Sequence, residues 1–338
     1  MATKAYFRPV IEGPGGAGLR LCGGWARFST LERIERGGLR RFERAEDAPA
    51  SVLDTLTTPR PPLWPGHSAE RPALMAILNT TPDSFSDGGQ FVSPEDAVAR
   101  GLALDKDGAD LIDIGGESTR PGAAFVEAEE ESARVLPVIR DLRAKLPQMP
   151  LSIDTRKPHV AQRALAEGAS FYNDVSALTY DRDAGVEVLR AHDAPICLMH
   201  SSATPDVMQQ HTSYEDVVLD VYDWLEAQVA ALVNTGLDRA RIVVDPGIGF
   251  GKTLDQNLAL VHNLSLFHGL GCALLLGASR KRFIGTLTGT AVAEDRLAGS
   301  LAVALEGARQ GAQILRVHDV KETAQALSLW AAVERQAQ

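Results

Sequence analysis

The chain has 338 residues, 45% of them hydrophobic and 23% charged, and its 34 basic against 44 acidic side chains give a net charge of −10. That length holds one large barrel of roughly 250 residues plus an addition. The acidic balance excludes a broad basic surface for nucleic acid and leaves room only for a local basic pocket that takes a small anion.

The amino-terminal stretch Met1-Ala2-Thr3-Lys4-Ala5-Tyr6-Phe7 lacks the apolar run of a secretory signal. No apolar run anywhere approaches the ~18 residues that a membrane span needs, so a cytoplasmic protein is expected. Residues 1–56 are rich in arginine (Arg33, Arg36, Arg40, Arg41, Arg44), with isolated Trp25 and Phe28. They are read as a loosely packed extension or small subdomain without chemistry, in preference to a dimer or barrel-cap element. Residues 57–72 carry Pro59, Pro61, Pro62, Pro65 and Pro72. Proline at that density suits neither a helix interior nor a central strand, and the stretch is read as a linker.

From residue 73 onward, apolar runs alternate with amphipathic segments. Candidate strands are 73–79, 109–115, 150–154, 169–174, 194–199, 241–245, 272–277 and 312–317; they are rich in Ile, Leu and Val and lack polar alternation. Such runs mark parallel strands buried on both faces. Helices are expected from Ser93, an N-cap serine followed by Pro94, Glu95 and Asp96, to about Gly108; over 127–146; from Pro158 to Gly168; and over 214–235, stopped by Gly236. Eight successive β-then-α units predict an α/β fold, a (β/α)₈ TIM barrel over 73–338 with a small N-terminal extension. The three cysteines (Cys22, Cys197, Cys272) form no CxxC pair and are read as buried thiols in a reducing compartment.

Several tempting motifs fail. Gly247-Ile248-Gly249-Phe250-Gly251-Lys252-Thr253 resembles a phosphate loop, but Pro246 stands where the first glycine belongs. His200 and His318 have no partner at zinc-ligand spacing, and no GxSxG marks a serine nucleophile. The charged residues at strand ends are more informative: Asp154, Asp245, Lys281 and Arg316, with the amide Asn173, would all point into one barrel mouth. Five convergent polar groups suit a polar heterocycle with an anionic tail better than an isolated ion pair.

Longer stretches carry a resemblance to a known family. They are Leu78-Asn79-Thr80-Thr81-Pro82-Asp83-Ser84-Phe85-Ser86-Asp87-Gly88-Gly89, Gly115-Gly116-Glu117-Ser118-Thr119-Arg120-Pro121-Gly122, Ser152-Ile153-Asp154-Thr155, Asn173-Asp174-Val175-Ser176, Asp245-Pro246-Gly247-Ile248-Gly249-Phe250-Gly251-Lys252, Ser279-Arg280-Lys281 and Arg316-Val317-His318-Asp319. In this order they resemble the dihydropteroate synthases of folate biosynthesis, over about 73–330.

The resemblance implies a transferase that joins 7,8-dihydropterin-6-ylmethyl diphosphate to 4-aminobenzoate. Asp154, Asn173, Asp245 and Lys281 would hold the pterin. Arg316 would stack on it and, with His318 and Asn79, bind diphosphate; a Mg²⁺ would bridge diphosphate and Asn79. Loops 80–89 and 118–122 would close over the site, with Asp87 and Arg120 meeting across it. Thr119, Pro121, Phe250 and Lys281 would border the aminobenzoate, with Gly249 and Met199 as further substrate contacts. Asp154, Lys281, Asp87 and Arg120 are the implied catalytic residues. The family also implies a homodimer and sensitivity to sulfonamides. The alternatives are a methyltetrahydrofolate:corrinoid methyltransferase, which needs no diphosphate subsite, and a catalytically silent pterin-binding paralogue.

Overall fold

The computed structural model describes residues 4–12, 16–38, 40–81, 93–118, 123–203 and 207–335. Strands β1 (Ala5–Ile11), β2 (Leu19–Arg20), β3 (Arg27–Glu35) and β4 (Arg40–Arg44) form an antiparallel sheet in which β3 pairs with all three others. Helix α1 (Ala50–Thr57) follows. This segment is not the loosely packed extension that its composition suggests. Leu21, Cys22, Phe28, Leu31 and Leu56 make a separate buried core. Its arginines obscure the pattern because they are partners rather than loop residues. Arg8 pairs with Glu32 at 2.6 Å, and Arg36 reaches Asp220 at 2.5 Å and Asp223 at 2.9 Å on the barrel. Lys4 and Tyr6 add contacts to Asp223 of 2.7 and 2.8 Å, and Trp25 Nε1 donates to the Ala308 carbonyl at 2.7 Å.

The proline-rich stretch does more than connect. Leu63 and Trp64 are each 7% exposed and close the amino-terminal end of the barrel, packed with Met75, Leu111, Phe171, Val243 and Leu275. Trp64 meets Phe171 edge-on, with ring centroids 6.3 Å apart.

Eight parallel strands then close into a barrel: β5 (Ala73–Asn79), β6 (Leu111–Gly115), β7 (Leu151–Asp154), β8 (Phe171–Asp174), β9 (Ile196–Met199), β10 (Ile242–Asp245), β11 (Ala273–Leu276) and β12 (Ile314–Val317), the last pairing with β5. All eight fall inside the runs expected from the sequence. Around them lie α2 (Pro94–Lys106), α3 (Ala128–Lys145), α4 (Pro158–Ala166), α5 (Arg182–His192), α6 (Val217–Val233), α7 (Leu254–His262), α8 (Arg282–Thr288), α9 (Leu297–Arg309) and α10 (Val320–Arg335). Ser93 caps α2 by accepting from the Asp96 amide at 3.2 Å. Helix α6 starts later than Tyr214, because Asp216 caps it from the amides of Val218 and Leu219. Apolar side chains from the outer strand faces and the inner helix faces form the main core. The three thiols are buried and unlinked. Among the described residues no helix is long and apolar enough to cross a membrane.

Candidate active site

Alternate residues of a strand face the same way, so each barrel strand sends every second side chain inward. At the lower level these are Met75, Leu111, Phe171, Cys197, Val243 and Leu275, an apolar floor above Trp64. Two residues further along each strand the same faces carry Ile77, Asp113, Asn173, Met199, Asp245 and Gly277, with Asp154 on β7 and Arg316 on β12. The interior thus changes from apolar to polar within one step of the pleat, at the carboxyl ends where barrel enzymes keep their chemistry.

Asp113, Asp154, Asn173 and Arg316 form one connected cluster. Arg316 donates from Nε to Asp113 Oδ2 at 2.6 Å and from Nη2 to Asp154 Oδ2 at 2.7 Å. Asn173 Nδ2 donates to the same Asp113 oxygen at 2.9 Å. Asp245 accepts from the Gly247 amide at 2.7 Å. Two glycines lie against the cluster: a Cβ on Gly277 would meet Asp245 Oδ2 at 3.5 Å and Arg316 Cβ at 3.8 Å, and one on Gly115 would meet Asp154 and Asn79, all at ordinary contact distance. The second carboxylate oxygens of Asp113 and Asp154 are buried with no protein partner, an unusual state for a buried acceptor. A ligand with donor groups would satisfy both.

Above the cluster opens a cavity of about 750 Å³. Asp154, Arg316, Lys281, His318, Asn79, Gly249 and Phe250 line it, whereas Asn173, Asp245 and Met199 lie at or below its base. Lys281 bonds the Ile248 carbonyl, and its ammonium lies 4.4 Å from the Phe250 ring centroid. His318 is held at Nδ1 by Ser279 Oγ, 3.0 Å away. Thr119, Arg120 and Pro121, like Asp87, fall outside the described residues.

The electrostatics follow from burial of several charges together. Burial pushes Asp154 up to about 7, against the pull of Arg316 and with help from neighbouring Asp113. Burial likewise raises Asp245 and brings Lys281 down to about 8, with Asp245 opposing the fall. For Arg316 burial works downward, but Asp113 and Asp154 outweigh it and hold the guanidinium above its ordinary value.

Sequence reasoning missed Asp113. Its signal was present, since an aspartate inside Leu111-Ile112-Asp113-Ile114-Gly115 is as anomalous as Asp154 or Asp245 in its own strand. Glu117 was also missed. It is clamped by Arg156 through two contacts of 3.0 Å and by Lys157 at 2.9 Å, at the root of the segment after β6.

A barrel with unpaired buried carboxylate oxygens at its base and a lysine, an arginine and a histidine on its wall is one built to hold a flat, donor-rich heterocycle with an anionic substituent. The sequence pattern of the family described as "Pterin binding enzyme" matches residues 75–318. The dihydropteroate synthase of Neisseria meningitidis serogroup B is 47% identical over 270 residues, covering 78% of this chain and 93% of that protein. That of Escherichia coli K12 is 43% identical over 256 residues, covering 76% and 89%. Among solved structures, Xanthomonas albilineans dihydropteroate synthase with 4-aminobenzoic acid superposes with a TM-score of 0.73 at 46% identity, covering 78% of this chain and 93% of that one. The same enzyme in complex with 7,8-dihydropteroate gives 0.72 at 44% identity, covering 80% and 97%. The chain belongs to the pterin-binding enzyme family and, within it, to the dihydropteroate synthases, which are transferases. The matched region begins at residue 75, so the amino-terminal sheet and the Trp64 segment lie outside it.

Proposed function

We propose that this chain condenses 7,8-dihydropterin-6-ylmethyl diphosphate with 4-aminobenzoate, giving 7,8-dihydropteroate and diphosphate. The observation that carries the reading is the Asp113, Asp154, Asn173 and Asp245 cluster at the base of a cavity whose wall bears Lys281, Arg316 and His318.

The carboxylates and Asn173 suit the donor-rich amino-pyrimidinone edge of a pterin. Arg316 and His318 then face the diphosphate, whose departure needs its charge neutralised. Asn79 offers one neutral oxygen at the cavity wall, and among the described residues no cluster of three ligating side chains exists. That fits a Mg²⁺ taking most of its ligands from substrate phosphates and water; when bound it would add charge neutralisation there. The reaction is dissociative. The bond between the pterin methylene carbon and diphosphate oxygen breaks first, with its electron pair leaving on diphosphate. The cation is spread over the pterin ring and faced by the fixed negative charge of Asp154. The neutral arylamine nitrogen forms the new C–N bond and loses a proton to solvent, so no dedicated base is required. Phe250 and Lys281 border the arylamine; Thr119 and Pro121 as further borders, and Asp87 and Arg120 as members of two water-excluding loops, are roles that the family resemblance implies for positions outside the described residues.

The protein is further proposed to be a cytoplasmic homodimer and a sulfonamide target. Solvent-exposed Leu287 on α8 and Leu329 and Val333 on α10, at 63%, 68% and 62% exposure, suit a subunit contact. The Yersinia pestis synthase, which superposes with a TM-score of 0.74 at 40% identity over 79% of this chain and 95% of that one, has been solved with a sulfonamide drug.

The test is a coupled assay for diphosphate in the presence of Mg²⁺. Diphosphate and dihydropteroate should appear in equal amounts, and only with both substrates present. Pterin binding with no diphosphate released under any condition would leave a silent binding protein instead.

A further inference from the structure

The glycine-rich turn after β10, which fails as a phosphate loop, has a different construction. Gly247, Gly249 and Gly251 have φ of +70°, +85° and +61°. In an anion-binding loop such alternation turns backbone N–H groups toward one point. Here carbonyl oxygens converge instead, and the point is occupied by the chain's own ammonium. Lys252 Nζ lies 2.8 Å from the Gly247 oxygen, 2.9 Å from that of Phe250 and 3.0 Å from His200 Nδ1. Lys252 is 4% exposed; burial brings it down to about 7, against the pull of Asp245, and the two carbonyls and the imidazole are the acceptors that offset its lost hydration when it is charged.

The acceptor side is equally fixed. Burial, then the neighbouring lysine, brings His200 down to about 2, so the ring is neutral and accepts at Nδ1. Trp224 packs edge-on against it at 4.9 Å. The turn also presses on the segment after β9: a Cβ on Gly247 would fall 1.9 Å from the His200 oxygen, and one on Gly251 would fall 1.7 Å from Ser202 Oγ. Tyr214 donates to the Gly251 carbonyl at 3.1 Å, and the Gly249 amide donates to Asn257 Oδ1 at 2.6 Å. Gly249, Phe250 and Lys252 all border the cavity, and Phe250 is the one that presents a ring to it, under the Lys281 ammonium.

We propose that Lys252 is a positioning residue for the arylamine subsite, an internal amino group around which the 247–251 turn folds so that Phe250 stands as the wall of that subsite. This rests on the reading above, that pterin and arylamine bind side by side in one cavity. Lys252 acts through Phe250, so its removal disturbs the arylamine more than the pterin: Asp113, Asp154 and Asn173 hang from other bonds, and of the pterin's partners Asp245 alone touches the turn, through the Gly247 amide.

The experiment pairs Lys252→Met with Phe250→Ala and the double variant in the full-length chain. Pterin affinity is read by calorimetry, and aminobenzoate KM and kcat by diphosphate release. Wild-type protein must release diphosphate with both substrates in the same assay; if it does not, the functional reading fails rather than this one. Lys252→Met should raise aminobenzoate KM about tenfold, with pterin affinity held within about twofold and kcat within about threefold. In the Phe250→Ala background it should add less than about twofold, because residues acting through one group are not additive. Parallel loss of pterin affinity, unchanged KM, or fully additive effects would each overturn the proposal. Should Lys252→Met fail to fold, His200→Phe removes one acceptor and keeps the ring. It should raise aminobenzoate KM about threefold in the same selective way, and an unchanged KM in soluble His200→Phe protein would equally overturn the proposal.

Discussion

Arg316, on the last barrel strand, is hydrogen-bonded to Asp113, on the second, at 2.6 Å although 203 residues separate them in the chain. The same Asp113 oxygen also takes the Asn173 amide, so one carboxylate orients both the guanidinium and the amide. Asp113→Ala should therefore cost more than one contact. Removing one partner of a buried pair costs about 3–5 kcal/mol, and pterin affinity should fall by at least about 10²-fold, since each factor of ten is about 1.4 kcal/mol. Titration calorimetry with a pterin ligand gives the answer, and a change below about twofold would remove Asp113 from the site.

Asp245 stands apart from that pair. Among the described residues its carboxylate accepts from the Gly247 amide, and burial raises its carboxyl above the ordinary range. A carboxylate kept in such surroundings is expected to accept from the ligand. Asp245→Ala should abolish measurable pterin binding while leaving the circular dichroism spectrum unchanged. Calorimetry showing wild-type affinity in this variant would contradict the proposed pose.

The pH profile should be narrow. Asp154, at about 7, must be ionised to face the cation, and Lys281, at about 8, must stay protonated to bind. Plotted against pH, kcat/KM for the pterin diphosphate should rise toward about 7 and fall beyond about 8. Stability moves differently. The folded Asp154 holds its proton above the ordinary 3.8, so the native state binds more protons than the unfolded one between there and about 7, and stability is lost as pH rises through that window. Asp154→Asn should accordingly melt at a higher temperature than wild type at pH 8 and lose that advantage at pH 4. Identical melting at both values would show that the Arg316 contact offsets the buried charge fully.

Trp64 tests the floor of the barrel. It lies outside the family's matched region, yet it packs among inward-facing residues of the strands. Trp64→Ala should lower unfolding stability by about 3–5 kcal/mol, read as a shift in the urea midpoint. A shift below about 1 kcal/mol would mean that the strands close the floor without it.

The strands were legible because burial on both faces leaves little but Ile, Leu and Val in them. Asp154, Asn173 and Asp245 stood out as polar residues ending such runs. Asp113 escaped because it sits two residues before its strand ends, and only the pleat shows that it shares a face with Gly115. Trp64 escaped for another reason, since a proline-rich stretch carries no local sign of the distant Phe171 that it meets. The amino-terminal sheet was hidden by its arginines, whose acidic partners lie partly within the sheet and partly near α6, some 180 residues away for Arg36. Local pattern reveals which residues face inward, and long-range pairing decides what they meet.

Among the described residues Trp64 stoppers the barrel from below, and the cavity opens at the opposite end. In the proposed pose the bicyclic ring takes the deepest level, so it would arrive before the arylamine, and the finished conjugate would leave by the mouth through which both halves came. On that proposal an arylamine lodged early at Phe250 would bar the corridor, and excess aminobenzoate would obstruct its own reaction whenever pterin is scarce.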